Sequence, residues 1–221
     1  MLDSLLSDHL SGSKISILDA GCGAARFLKT FKKHFRFVDL FDHAYEAMCK
    51  TQTLIRKLKL QTCATFTQAS FTSYPWKEKK YDLIFLSHAI GYMDDSELIA
   101  FLREAASHLT VDSEKKFSEN EPGNPLAAIC ILDNVSQSGE NYKEESQWVR
   151  TADSLEKIYA QSGLVTAYKT QNITTHDDFV PVTVWLLEKA MGKNAEQKKE
   201  DNSEIDDDDS VDSTGMPMHL V

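Results

Sequence analysis

The chain has 221 residues, of which 42% are hydrophobic, and a formal net charge of −10, which together fit one globular domain with a full core. It has no apolar run of the roughly 18 residues that span a bilayer and no secretory signal segment. We therefore expect an intracellular protein of the cytoplasm, with the nucleus left open, that binds no membrane. A chain this acidic is also a poor candidate for nucleic-acid binding, because neutralising phosphates requires clustered lysine and arginine.

The first predicted elements lead into a glycine turn. Met1–Leu10 has leucines at helical spacing, and Ile15–Asp19 is a short apolar strand. The strand is followed by Gly21 and Gly23, which permit positive φ and a close approach of the backbone to a ligand. A helix is predicted from this turn to about Lys33. By itself such a turn is equally compatible with a purely structural role.

Three charged residues indicate which ligand the turn binds. Asp19, two residues before Gly21, repels phosphate and suits a cation. Arg26, predicted in the first turn of the helix, can bind a free carboxylate. Asp42 ends the second predicted strand, Phe37–Phe41, where a carboxylate can accept hydrogen bonds from ribose hydroxyls. An amino-acid zwitterion joined to adenosine satisfies all three residues, so we predict S-adenosylmethionine as the cofactor.

Helices and strands alternate through the middle of the chain. Asp94 and Glu97 form a capping box before a helix that is predicted to end near Leu109. A continuous apolar run, Tyr81–Ser87, is typical of the buried centre of a parallel sheet. The polar segment Thr110–Pro125 is predicted to be an exposed loop. The other predicted elements here are a helix at about Ala44–Leu58 and strands at Ala64–Ala69 and Leu126–Leu132.

The last elements determine the fold class. A helix is predicted at about Ala152–Gln161, closed by Gly163, before two strands at Leu164–Gln171 and Val180–Glu188. The short connection between these strands makes them antiparallel to each other. We therefore predict an α/β, Rossmann-like class I methyltransferase fold. It has a mostly parallel seven-stranded sheet, a C-terminal antiparallel hairpin strand and helices on both faces.

The negative charge is concentrated at the C-terminus. From Ala190 onward, three lysines stand against nine acidic residues. This composition predicts a methyltransferase domain over 1–189 and an acidic disordered tail over 190–221. The tail is either an arm for a basic partner or a solubilising appendage. The four cysteines lack CxxC and Cys/His spacings, which predicts buried free thiols and no metal site.

The chain resembles the α-N-terminal protein methyltransferases over roughly Ile15–Lys189. The most specific segment is Ile131–Gln137, whose Asp-Asn-x-x-Gln pattern closes the fifth strand. The resemblance also covers Leu18–Arg26, Val38–Asp42, Ile90-Gly91, Arg150 and Ala160–Leu164. Members of this family methylate the terminal amine of proteins that begin X-Pro-Lys or X-Pro-Arg. The resemblance therefore implies S-adenosylmethionine as cofactor and a protein or peptide N-terminus as substrate.

The resemblance also implies roles for individual residues. Asn134 would lie beside the incoming amine, and Glu145 would be the carboxylate that acts on it, or Glu144 if the loop shifts by one residue. The implied cofactor contacts are Gly21, Gly23 and Arg26 at the methionine, Asp42 at the ribose, and Ser70 and Phe71 at the adenine.

The chain departs from the family pattern after the fourth strand. Where the family has a Gln-Trp pair and a later His, this chain has Ser87, His88 and Tyr92, which changes cofactor and substrate contacts. His88 is either a base or a satisfied histidine, and Trp148 either lines the substrate groove or is buried. Only about fourteen residues precede the first strand, so the family's N-terminal cover is expected to be largely missing. The alternatives are a same-fold methyltransferase for a small molecule or another protein site, or a catalytically weak partner subunit.

Overall fold

The computed structural model describes residues 14–110, 127–171 and 182–190. The predicted first helix, nearly all of the polar loop after Leu109 and the acidic tail lie outside the described residues. The helices are α1 (Leu28–His34), α2 (Tyr45–Lys57), α3 (Asp95–Ser107) and α4 (Ala152–Gln161). The strands are β1 (Lys14–Ala20), β2 (Phe35–Asp42), β3 (Ala64–Gln68), β4 (Leu83–Ser87), β5 (Ala128–Asn134), β6 (Tyr142–Glu144), β7 (Gln147–Val149), β8 (Leu164–Gln171) and β9 (Val182–Lys189).

Seven of these strands form one sheet in the order β3-β2-β1-β4-β5-β9-β8. Strands β1 to β5 pair in parallel, whereas β9 runs antiparallel to both β5 and β8. The predicted fold class is therefore confirmed. Because the parallel strands all end at one edge, the residues that follow β1, β2, β4 and β5 meet there, which is where ligands bind in such sheets.

Helices pack on both faces of the sheet. Alternate residues of β4 point to opposite faces: Leu83 and Phe85 lie in the cluster with Phe31 of α1, and Leu86 lies in the cluster with Leu102 of α3. Both clusters consist of buried apolar side chains, so the sheet is covered on each side as a parallel sheet requires. In the described ranges, no helix is both long enough and apolar enough to cross a bilayer.

The capping box that was predicted before α3 is present. The Asp94 carboxylate accepts a hydrogen bond from the Glu97 amide at 2.8 Å, and the Glu97 carboxylate accepts one from the Asp94 amide at 3.1 Å. The predicted bounds of α4 and β8 match the structure, and Gly163 follows α4 with φ +75°. Local sequence signals therefore predict these elements well.

Two local predictions are wrong or incomplete. Arg26 does not lie in a helix, because α1 begins only at Leu28. The physical reason is Ala25, whose φ of +53° interrupts helical geometry just before that point. The two-stranded sheet β6–β7 was not predicted, since its residues are almost all exposed and show no apolar alternation.

The substitution Leu102→Ala tests this packing. Leu102 is fully buried between α3 and the sheet, so the change should lower the free energy of unfolding by about 2–5 kcal/mol. The matched control is Val165→Thr, at a half-exposed position of β8, which should change it by about 0.5 kcal/mol or less. Urea denaturation measures both values. Equal effects from the two variants would contradict the assignment of the core.

Candidate functional site

Hydrogen bonds fix the turn after β1 to its neighbours. The amides of Gly21 and Cys22 both donate to the carbonyl oxygen of Phe41, at 3.0 Å each. The hydroxyl of Thr51, on α2, donates to the carbonyl oxygen of Gly23 at 3.0 Å. The turn is therefore held against the end of β2 and the side of α2, and its backbone has little freedom to move.

Close packing explains why position 21 carries glycine. Gly21 has φ +71°, and a β-carbon there would lie 2.9 Å from Cζ of Phe71 and 3.1 Å from Cβ of Ala89. A side chain at this position would thus be strained and would also displace the Phe71 ring. The close neighbour of this glycine is thus an aromatic ring of the protein, and the predicted close approach to a ligand stays a prediction.

A cavity of about 590 Å³ opens over the ends of β1, β2 and β4. This volume is in the range of small-molecule sites. Seven of the residues predicted from the sequence line it: Gly21, Gly23, Asp42, Ser70, Phe71, His88 and Tyr92. Sequence reasoning missed His43, Met93 and Glu97. Of these three, only Glu97 was identified from the sequence, as part of the capping box, and that role gave no indication that it also lines the cavity.

Asp42 contributes a carboxylate to the lining of the cavity, as does Glu97. Its Oδ2 accepts a hydrogen bond from the Gly23 amide at 2.9 Å, and its Oδ1 accepts one from the Ala44 amide at 2.9 Å. An ionised carboxylate can accept about four hydrogen bonds, so two positions remain for hydroxyl groups. This geometry suits the predicted contact with a ribose.

Asp19 is a buried carboxylate with an unsatisfied oxygen. Its exposed fraction is 2%, and its Oδ2 has no hydrogen-bond partner among the described residues. Burial raises the pKa of Asp19 to about 7, Arg26 opposes this rise, and repulsion from Asp42 adds to it. A cationic or hydrogen-bond-donating ligand would offset the cost of burying this group.

Arg26 lies at the rim rather than in the wall of the cavity. Its guanidinium is exposed and donates to Oγ of Ser87 at 2.8 Å, and its Cζ lies 4.8 Å from the ring centroid of Phe27. Its positive charge opposes part of the rise in the pKa of Asp19, and it adds to the lowering of the pKa of His88 that burial causes. The sequence placed Arg26 and Asp42 around one cavity, but only Asp42 lines it, and the role of Arg26 stays a prediction.

The residues predicted at the amine are divided between two places. Asn134 ends β5 half-buried, next to the end of β4, whereas Glu144, Glu145 and Trp148 lie in the hairpin β6–β7. None of these four residues lines the cavity. Trp148 is 37% exposed, which contradicts the alternative that it is buried.

The hairpin β6–β7 is attached to the cavity wall. Nε2 of Gln147 donates to the hydroxyl oxygen of Tyr92 at 2.6 Å. The carbonyl oxygen of Trp148 lies only 2.9 Å from the position that a β-carbon on Gly91 would occupy. The short 3₁₀ helix Ile90–Tyr92 therefore has the cavity on one side and the hairpin on the other.

A buried arginine fixes this 3₁₀ helix. Arg150 is 2% exposed, and its guanidinium donates to the carbonyl oxygens of Ile90 and Met93, at 3.1 and 2.6 Å, and to Oδ1 of Asp95 at 2.8 Å. From the other side, Oδ2 of Asp133 accepts a hydrogen bond from the Ile90 amide at 3.2 Å. Burial raises the pKa of Asp133 to about 6. Sequence reasoning missed this role, since Arg150 entered it only through the family resemblance.

The cysteines of the described part of the chain differ in exposure. Cys22 and Cys130 are buried free thiols, as predicted, while Cys49 is exposed and Cys63 is half-buried. Across residues 14–110, 127–171 and 182–190, no cluster of three or more His, Cys, Asp or Glu side chains is placed to hold a metal ion.

The substitution Arg150→Met tests the anchoring of the 3₁₀ helix. It leaves two buried carbonyl oxygens and Asp95 without their donor, so the free energy of unfolding should fall by about 3 kcal/mol. The control is Arg103→Met, because Arg103 also donates to a backbone carbonyl, that of Gln161, but at the surface. Its loss should cost about 1 kcal/mol or less, as measured by urea denaturation. Similar losses in the two variants would contradict the anchoring role.

The pKa of Asp19 predicts a pH dependence of stability. Because its folded pKa is raised to about 7, the folded state keeps a proton that the unfolded state has lost above about pH 4. Stability should therefore fall as the pH rises between these values, by at most about 1.4 kcal/mol per pH unit from this group. Asp19→Asn should remove that part of the slope between pH 5 and 7. An unchanged slope in urea titrations would contradict the raised pKa.

Comparisons with known proteins identify the family and the fold of this chain. N-terminal Xaa-Pro-Lys N-methyltransferase 1 of Danio rerio is 26% identical over 156 residues, which are 70% of this chain and 63% of that protein. Alpha N-terminal protein methyltransferase 1 of Caenorhabditis elegans is 26% identical over 189 residues, 84% of this chain and 74% of that protein. The solved structure of a SAM-dependent methyltransferase from Leishmania major has a TM-score of 0.67 and 20% identity, covering 85% of this chain and 68% of that one. The family model described as AdoMet dependent proline di-methyltransferase matches residues 1–188 of this chain. The chain therefore belongs to the AdoMet-dependent proline di-methyltransferase family.

Proposed function

We propose that this chain transfers methyl groups from S-adenosylmethionine to the N-terminal α-amine of proteins, with X-Pro-Lys and X-Pro-Arg N-termini as the substrate class. The observation that carries the proposal is the cavity over the ends of β1, β2 and β4, which combines the glycine turn, Asp42 and His88 in one wall. The names of the relatives in Danio rerio and Caenorhabditis elegans support the choice of substrate.

The residues present fit the cofactor in three respects. Asp19 offers a buried carboxylate oxygen that has no partner in the described part of the chain and suits a cationic amine. Asp42 keeps two acceptor positions for ribose hydroxyls. Gly23 lines the cavity without a side chain, and an added β-carbon there would meet no atom within 4 Å, which leaves open space beside the backbone. S-adenosylmethionine, when bound, supplies a methyl group on a positively charged sulfur.

The protein itself contributes to the reaction by aligning the amine, excluding water and removing the proton of the amine. Methyl transfer is an in-line displacement, so the amine must be held in line and unprotonated. The carbonyl oxygen of the Asn134 side chain can orient an amine without giving it a proton. Phe71, Ala89 and Met93 give the cavity apolar walls that exclude water from the reacting groups.

Charge around the hairpin supports a basic substrate. Glu140, Glu144 and Glu145 are all exposed on or next to β6–β7, beside the 3₁₀ helix that walls the cavity. Carboxylates at such a position attract a peptide whose third residue is lysine or arginine. Lys143 lies among them, with its Nζ 5.6 Å from the ring centroid of Trp148, and reduces this potential.

A second candidate is a methyltransferase of the same fold for a small molecule or another protein site. Two observations favour it: the hairpin carboxylates lie outside the cavity, and the family's Gln-Trp pair and later His are replaced by Ser87, His88 and Tyr92. A catalytically weak partner subunit would share these features and is distinguished by a lack of turnover on every substrate.

Methyl transfer to peptides tests the proposal. The purified protein, given S-adenosylmethionine with a labelled methyl group, should label an X-Pro-Lys peptide and leave the same peptide with an acetylated N-terminus unlabelled, because only the first has a free α-amine. A panel of small-molecule amines and hydroxyls is assayed beside it. Equal labelling of the acetylated peptide, or labelling of small molecules alone, would favour the second candidate.

Asp42→Asn tests the cofactor site. The change removes charge-assisted hydrogen bonds worth about 1.5–3 kcal/mol each, so the Kd for S-adenosylmethionine should rise by about 10- to 100-fold in calorimetry. The control, Glu46→Gln, removes another acid close in sequence, in the first turn of α2 and outside the cavity lining, and should leave the Kd within about twofold. Unchanged affinity in the Asp42 variant would refute this cofactor position.

A further inference from the structure

We propose that His88 is the catalytic base that takes the proton from the substrate's α-amine. The inference rests on the proposed function, because it names the proton acceptor for that reaction. It assigns to an imidazole of the cavity wall the role that the family resemblance implied for a carboxylate in the hairpin β6–β7.

His88 lies between the cofactor side and the amine side of the site. It directly follows β4, the strand between β1, which leads into the glycine turn, and β5, which ends at Asn134. The amide of His88 donates to the carbonyl oxygen of Leu132 at 2.8 Å, which places it two residues short of Asn134 along β5. Its side chain is half-buried and lines the cavity. A base at this point lies at the end of the strand that neighbours the strand ending at Asn134.

The backbone at His88 is in an uncommon conformation. Its φ is +51°, in the left-handed region that few residues other than glycine adopt. The hydrogen bond to Leu132 and the neighbouring 3₁₀ helix hold it there. Residues kept in such conformations cluster at active sites, so the backbone conformation supports a functional role for the His88 side chain.

The other titratable side chains of the cavity contact protein groups or lie at the proposed ribose side. The Asp42 carboxylate accepts two backbone amides, and the Glu97 carboxylate accepts the Asp94 amide in the capping box. The Tyr92 hydroxyl is bound by Gln147. His43 is 74% exposed and lies 3.6 Å from Asp42, at the ribose side.

The His88 imidazole, by contrast, has no hydrogen-bond partner in the described ranges. No described side chain or backbone group bonds to either ring nitrogen. The interpretation of His88 as a satisfied histidine therefore has no support in that part of the chain. A ring nitrogen is free to accept a proton from a ligand in the cavity.

The surroundings of this imidazole favour its neutral form. Burial lowers the pKa of His88, and the positive charge of Arg26 lowers it further. A neutral imidazole has a free ring nitrogen that can accept a proton at pH 7, as a base requires. The charged and titratable groups of the elements around it are Asp19 and Arg26 of β1 and its turn, Asp42 and His43 after β2, Tyr92 of the 3₁₀ helix, Glu97 of α3 and Asp133 of β5.

The proton balance of the step is simple. The substrate enters mainly as an ammonium, since its pKa is about 7.7–8.0. One N–H bond breaks, the proton moves to the imidazole nitrogen, and the electron pair of that bond becomes the lone pair with which the amine attacks the methyl carbon. The imidazolium then releases the proton to water, which regenerates the base.

His88→Asn is the test, because asparagine also tolerates a left-handed backbone but cannot accept a proton near neutral pH. Values of kcat/KM for an X-Pro-Lys peptide are measured from pH 6.5 to 9. At about pH 7 the variant should be slower by about 100-fold, as expected for loss of a general base. The deficit should shrink by about tenfold towards pH 9, because the amine is then neutral without help.

Two further readouts separate catalysis from folding and binding. Calorimetry should give the variant a Kd for S-adenosylmethionine within about threefold of the unmodified protein, which shows an intact fold. NMR titration of the histidine resonances, assigned by their loss in the variant, should give His88 a pKa below 6.5 without any cofactor. The control His34→Gln removes an imidazole from the opposite end of the sheet and should leave the pH profile unchanged.

The outcomes distinguish the two levels of the proposal. If the unmodified protein methylates no α-amine, the proposed function fails and the role of His88 fails with it. If it does methylate the peptide, but the His88 variant keeps its activity or shows the same deficit at every pH, only the assignment of the base is overturned. An imidazole that is protonated at pH 7 in the NMR titration also overturns it.

Discussion

The attachment of the glycine turn to the end of β2 is the interaction on which the candidate site depends. Phe41 accepts two amides of the turn through one carbonyl oxygen, and Asp42 accepts a third, from Gly23, through its carboxylate. Since Ala20 and Phe41 are partners in the parallel register, these bonds continue the strand pairing beyond the last residues of β1. Buried amides require hydrogen-bond partners, so without this attachment three amides of the turn would need other acceptors. The attachment thereby holds the Asp42 carboxylate at a fixed distance from the backbone of the glycine turn.

Much of the fold was predictable from local signals. The capping box at Asp94, the glycine after α4 and the apolar run of β4 each report a feature that acts over a few residues. The strand directions followed from the alternation of strands and helices and from one short connection, whereas the strand order was not predicted. The small hairpin β6–β7 was not predictable in this way, because its strands have three residues each and are held by Gln147 and the backbone at Trp148 against a 3₁₀ helix about 55 residues earlier. Contacts between segments that distant leave no periodic pattern.

The same limit applies to the candidate site. Sequence reasoning found the cavity-lining residues whose position follows from strand ends, such as Gly21, Asp42 and His88. It misplaced Arg26, because the left-handed Ala25 that delays α1 has no signal in the letters Ala-Ala-Arg. It also missed the burial of Arg150. The guanidinium of this residue donates to the carbonyl oxygens of Ile90 and Met93, which only the folded chain brings close to it. Residues that act on backbone groups of another segment are the ones that spacing arguments miss.

The tight contact at Gly91 has an evolutionary consequence. The carbonyl oxygen of Trp148 occupies the place of a side chain there, so even a methyl group would push the two segments apart. Exposed side chains of the hairpin and of the 3₁₀ helix can therefore change without altering the spacing of the two segments, which depends on glycine at position 91. In evolution this position is thus constrained by the distance between two segments, although Gly91 itself does not line the cavity.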